Sequence, residues 1–252
     1  MFISAQGAAK SCLFNAFVWA VKSFLKKAWK LVVKIIKWFF ILSIASVLVF
    51  RFLPVPFTPL MLLRCGEQLF SPDKKLKLKK DWTSIEEMSS AMPLAAMAAE
   101  DQNFEEHFGF DFKAIKKAGE YNVRHKGKKL KGASTISQQT AKNVFLFPAR
   151  SWIRKGFEVY FTFLIEVFWN KKRIMEVYLN VIEMGEGVYG AEAAAQEYFQ
   201  KPAKKLSIRE SSLIAAVFPN PRRWSPAKPT PYIIKKSGRI MYFMSRLDAK
   251  DF

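Results

Sequence analysis

Apolar and polar positions alternate in two regimes along this chain. Residues 35–53 form a run of 19 that is interrupted only near its ends, by Lys37 and Arg51. Such a run can cross a bilayer as one helix while its terminal cations reach the headgroups. Ahead of it, Lys22, Lys26, Lys30 and Lys34 recur every four residues beside Phe17, Val21, Phe24, Leu25 and Leu31. That spacing fits either an amphipathic helix lying on the membrane or a helical extension of the anchor. From residue 82 onward the periodicity is helical almost throughout, and alternating strand-like segments are scarce. Residues 92–104, rich in Ala and Met after Pro93, suit a buried helix that ends in an acidic cluster. Phe157, Phe161, Leu164, Ile165 and Phe168 mark another apolar stripe, and residues 191–198 and 211–217 two more. Ser84-Ile85-Glu86-Glu87 and Ser207-Ile208-Arg209-Glu210 fit capping boxes at helix starts. No internal repeat interrupts the series. The pattern predicts a mainly α protein with a basic segment at 1–34, a transmembrane anchor at 35–53, a juxtamembrane linker at 54–81 and one domain at 82–252.

Charge gives the anchor a direction. The first 50 residues hold seven lysines and no acidic residue, whereas the whole chain of 252 has 41 Lys and Arg against 21 Asp and Glu. By the positive-inside rule, residues 1–34 are expected in the cytoplasm and the domain outside it, periplasmic in a bacterium. A cleaved signal peptide fits less well, because the charged region is long and Pro54-Val55-Pro56 stands where a small-x-small cleavage site would be needed. The excess of cations, combined with 24 phenylalanines, points to anionic lipid rather than nucleic acid as the partner. The two cysteines, Cys12 and Cys65, fall on opposite sides of the span and cannot pair within one chain. His107 and His125 are the only histidines, too few for a zinc cluster, so the chemistry falls to carboxylates.

Two segments supply those carboxylates and their company. Residues 100–109 read Glu100-Asp101-Gln102-Asn103-Phe104-Glu105-Glu106-His107-Phe108-Gly109, and residues 132–143 read Gly132-Ala133-Ser134-Thr135-Ile136-Ser137-Gln138-Gln139-Thr140-Ala141-Lys142-Asn143. Glu100 closes an apolar helix, where loss of water raises a carboxyl pKa and suits a general base. Thr135, Gln138 or Gln139, and Lys142 recur at about helical spacing, with hydroxyl and amides for sugar and an ammonium for phosphate; Asn143 is expected to cap or brace the helix. Arg150, Arg154 and Glu158 stand four apart, which on one helix gives a face with two guanidinium forks below a carboxylate. Taken alone, each has a structural reading as a cap or a surface ion pair. Residues 122–131 carry five cations and no acid, as either a solvated loop or a flap resting on anionic lipid.

These motifs together resemble the peptidoglycan glycosyltransferases, in their monofunctional biosynthetic form. Arg154-Lys155-Gly156-Phe157-Glu158, the segment Lys171-Lys172-Arg173-Ile174-Met175-Glu176-Val177-Tyr178-Leu179-Asn180 and a fifth beginning at Gly187-Val188-Tyr189-Gly190 are similar to the remaining signatures of that family, in order, over about residues 82–226. Met175 and Met184 depart from its usual apolar choices. The resemblance implies a lysozyme-like helical lobe with a small membrane-proximal jaw lobe. It further implies polymerisation of lipid II into β-1,4-linked glycan strands with release of undecaprenyl pyrophosphate, for cell-wall synthesis at the bacterial inner membrane. In those terms Glu100 is the base toward the acceptor hydroxyl and Glu158 assists at the donor. Asp101, Phe104, His107, Thr135, Gln138, Gln139, Lys142, Asn143, Arg150, Arg154 and Lys155 are the substrate-binding set. No cofactor is required by the sequence; a divalent cation, Mg or Mn, comes only from the resemblance. Partners so implied are lipid II and the growing glycan, inner-membrane lipids, and cell-division or cell-wall synthesis proteins. Class A penicillin-binding proteins share this domain, but Ser225-Pro226-Ala227-Lys228 and Lys236-Ser237-Gly238 lie too close together and too near Phe252 to represent a transpeptidase. A lysozyme-like hydrolase needs two carboxylates but no phosphate-binding cations, and a non-enzymatic membrane scaffold needs neither.

Overall fold

The computed structural model describes residues 3–71, 75–125, 131–149 and 151–247, with side chains left aside at 3–18, 20 and 21. The chain divides into two units, Met1–Val49 and Phe50–Phe252. Helix α1, Ile3–Phe52, is continuous through the first, so the lysine-bearing segment is a helical extension of the apolar run rather than a separate surface helix. Its stretch Lys22–Phe52 is the one helix among the described residues long and apolar enough to cross a membrane. Trp29, Ile35, Phe40 and Leu42 on it are exposed, as lipid-facing side chains would be.

The second unit is built from short helices: α2 Pro59–Leu69, α3 Ala91–Glu100, α4 Phe112–Arg124, α5 Ile136–Phe145, α6 Trp152–Phe168, α7 Lys171–Val181, α8 Ala191–Phe199, α9 Ile208–Val217 and α10 Pro231–Met244. A small sheet accompanies them, β1 Lys79–Lys80, β2 Glu183–Gly185 and β3 Val188–Tyr189, with β3 central, parallel to β1 and antiparallel to β2. Helices α3, α9 and α10 pack on one another through alanines and branched residues, Ala91, Ala95 and Ala98 meeting Leu213, Ala216, Ile233 and Ile240. Small side chains on α3 allow this close approach, and they leave its C-terminal residue, Glu100, at the rim of the core. Helix α5 packs on α6 and α7; the rings of Phe145 and Phe161 stack 4.6 Å apart.

Several local expectations change. The helix beginning near Met92 stops at Glu100, and turns follow it. Ser207 and Glu210 form the expected capping box, but Ser84 makes no side-chain cap and opens only a 3-10 turn, Ile85–Glu87. The box missed in the sequence is Thr135 with Gln138, at the start of α5. Of the basic stretch 122–131, the first three residues belong to α4, Asn122 pairs through its side-chain amide with the backbone of Lys131, and 126–130 lie outside the described residues. In the fourth signature Asn180 is buried, bonding the backbone N–H and carbonyl of Thr83 at 2.9 Å each.

Candidate active site

Helix α3 ends by delivering Glu100 to a pocket of about 270 Å³ lined also by Asn103, Lys131, Gly132 and Ser134. The side-chain amide of Gln139 on α5 donates to Glu100 Oε2 at 2.8 Å. Burial raises the pKa of this carboxyl above the ordinary value; the amide bond and the charges of Lys236 and Lys142 pull against that rise without cancelling it. Glu100 thus keeps the basicity that a proton acceptor needs.

One turn along α5, Lys142 lies within electrostatic reach of both Glu100 and Glu158. Its ammonium is destabilised by burial, and the neighbouring Arg154 and Lys155 add to that lowering of its pKa. Glu158, only 3% exposed, accepts from Arg154 Nη1 at 2.7 Å and from Lys155 Nζ at 2.5 Å. Ser151 caps α6 by accepting from the Arg154 N–H, which fixes the start of this cationic turn. A second pocket of about 430 Å³ is lined by Lys142, Asn143, Leu146, Arg154 and Arg64. The two carboxylates therefore stand in different surroundings, one on a neutral amide and one between two cations. A row of cations beside an open pocket suits phosphate oxygens.

The remaining residues of the expected set divide by where their side chains go. Asp101, 6% exposed, takes the Ile136 N–H at 3.0 Å and His107 Nε2 at 3.0 Å. It therefore ties the turn after α3 to the start of α5. Phe104 is fully buried, with Lys171 Nζ 4.7 Å from its ring centre. Thr135 lines the first pocket with Glu100, and together with Gln138 it closes the start of α5. Thr135 accepts the Gln138 N–H and donates to the Gly109 carbonyl at 2.7 Å, while the side-chain Oε1 of Gln138 accepts the Thr135 N–H. These bonds close the start of α5, and both residues are buried. Of the same motif, Gln139 bonds Glu100 and Lys142 lines the second pocket. Asn143 lines the second pocket, whereas the C-cap of α5 is Leu146. Of the expected face of Arg150, Arg154 and Glu158, the last two pair on α6; Arg150 lies outside the described residues. Sequence reading missed Ser134, within the second motif, and Lys131, just ahead of it, in the first pocket, and it set Lys236 aside.

Among the described residues no three His, Cys, Asp or Glu side chains converge to hold a metal ion. Glu158 has both oxygens engaged by cations and Glu100 faces an amide donor, so these groups do not fit a dedicated divalent-cation site, and no step below runs through one.

A helical domain that sets a basic carboxylate beside a clamped one and a cationic row defines an enzyme that transfers sugars from phosphate-linked donors. A family model described as Transglycosylase matches residues 68–245, and the chain belongs to that family. It is 53% identical over 212 residues, 84% of each chain, to a biosynthetic peptidoglycan transglycosylase of Bdellovibrio bacteriovorus. A protein of the same name from Bacteroides thetaiotaomicron is 52% identical over 221 residues, 88% of each chain. Another, from Yersinia pseudotuberculosis, is 49% identical over 211 residues, 84% of this chain and 87% of its own.

Proposed function

We propose that this protein is a membrane-anchored peptidoglycan glycosyltransferase that polymerises lipid II into β-1,4-linked strands. The observation that carries the reading is the pairing of Glu100, basic and on a neutral amide, with Glu158, held by Arg154 and Lys155, and Lys142 in reach of both. In the reaction a sugar hydroxyl of the acceptor attacks the anomeric carbon of a donor. The hydroxyl proton passes to Glu100, the bond from the anomeric carbon to the phosphate oxygen breaks, and undecaprenyl pyrophosphate departs with that electron pair. Lys142 and Arg154 neutralise the departing oxygens, whose charge grows in the transition state. Glu158 keeps the two cations of α6 in register rather than taking a proton itself, since both its oxygens already accept from cations. A hydrolase would leave this cationic row without a task.

The helix Lys22–Phe52 serves as the anchor, with the lysine-rich start in the cytoplasm and the catalytic unit on the periplasmic side of the inner membrane. Polyprenyl-linked substrate stays in the bilayer, so confinement to that surface brings enzyme and substrate together. Detergent-solubilised protein incubated with labelled lipid II tests the activity. Wild type is expected to yield polymer, and Glu100→Gln to lose at least about a hundredfold in rate, the usual scale of general-base catalysis. Polymer from the variant at near wild-type rate would remove Glu100 as the base.

A further inference from the structure

Lys236 lies on α10, outside the motifs that carry the family resemblance. Its Nζ donates to the carbonyl of Ala216 at 2.9 Å, in the last turn of α9, where helix carbonyls lack intrahelical donors. The same ammonium stands 6.0 Å from the ring centre of Trp224. Both α9 and α10 pack against α3, so this fixed cation sits behind the helix end that carries Glu100. Among the described residues no carboxylate forms a direct ion pair with Lys236, and Glu100 is the acid whose charge acts on it.

We propose that Lys236 is a positioning residue for sugar transfer: its ammonium, fixed on the Ala216 carbonyl, holds Glu100 as a charged carboxylate turned to the acceptor hydroxyl. This rests on Glu100 as the base.

The groups facing Glu100 are Gln139 and Lys142 from α5, Asp101 beside it, Tyr178 from α7 and Lys236 from α10. Burial and Asp101 favour its protonated form, the two lysines and the amide its charged form, and the buried phenol of Tyr178 is neutral. The lysines differ in what else they meet. Lys142 opens on the second pocket beside Arg154, and its charge is drawn to pyrophosphate once a donor binds. Lys236 lines neither pocket, and its ammonium is held by the Ala216 carbonyl. It therefore supports Glu100 at the moment when Lys142 is engaged elsewhere.

The test is the pH dependence of kcat/KM on labelled lipid II for the full chain in detergent, comparing wild type, Lys236→Met and Lys236→Arg. Lys236→Met is expected to move the acid limb to higher pH by about one unit, lowering kcat near neutrality with little change in KM. Lys236→Arg, which keeps the charge, should restore the wild-type limb. Where the methionine variant melts early, Lys236→Gln, which keeps a donor for Ala216, replaces it. A folded, uncharged variant whose limb superimposes on the wild type overturns the proposal, as does an arginine variant whose limb moves equally far. Glu100→Gln, run alongside, separates the failures. If it is inactive while the limb stays fixed, only the role of Lys236 falls; if it is fully active, the base assignment falls and the role of Lys236 with it.

Discussion

A carboxylate that takes a proton from a sugar hydroxyl must stay basic, and basicity at Glu100 comes from burial that opposes its charge. Its folded pKa is raised, so the folded state binds the proton more tightly than the unfolded chain does. Above that raised value the ionised side chain then weighs fully against folding; the penalty fades as pH falls through the folded value and is gone below the unfolded one. Glu100→Gln removes the charge and is expected to melt no lower than wild type at neutral pH, a difference that thermal denaturation at pH 7 and pH 4 will show shrinking in acid. Stability gained as activity is lost marks a functional group rather than a structural one. Gly109 behaves oppositely. It adopts φ 75°, and an added Cβ would lie 2.8 Å from Thr162 Cγ2. Gly109→Ala should cost about 2 kcal/mol from the left-handed backbone and the clash together, read as a lowered midpoint in urea.

At the scale of the element, α5 joins two tasks that the sequence presents as one. Gln139 and Lys142 face the chemistry, while Thr135 and Gln138 close the helix start. The Thr-x-x-Gln pattern was available as a capping signal, but polar residues inside a sugar-binding motif invited a ligand reading. Thr135→Ala loses the cap, about 1 kcal/mol, and the bond to Gly109, about another. The expected outcome is a lower melting temperature with a modest fall in kcat, and Thr135→Ser should restore both. Had Thr135 been a sugar ligand, KM would rise and the melting temperature would stay. The long apolar helix, the helical class and the place of Glu100 at the end of an apolar helix were legible because each is encoded within a few neighbouring residues. The surroundings of Lys236 were not, since they come together only when α10 packs back onto α3, and Arg150 lies outside the described residues.

For the whole molecule, the helix Lys22–Phe52 spans 31 residues, about 46 Å at 1.5 Å per residue, against a hydrocarbon core of about 30 Å. The surplus lies at the lysine-bearing end, where lipid headgroups and water can take it. Deleting residues 1–53 should lower polymerisation on lipid-II-bearing vesicles more than in detergent micelles, and equal losses in both would deny the anchor its role in substrate access. A reporter enzyme active only in the periplasm, fused after Phe252, should give signal; a cytoplasmic signal would reverse the orientation. In the catalytic unit, Ser137 and Lys171 both donate to Glu166, Lys171 also holds the carbonyl of His107, Thr135 donates to the carbonyl of Gly109, and Asp101 takes the Ile136 N–H at the start of α5. An inhibitor seated against Glu100, Gln139 and Lys142 would rest on a surface whose backing is this buried strap. Escape by mutation is then confined to the rim of the cleft, because changes beneath it cost the cell the enzyme along with the drug's foothold.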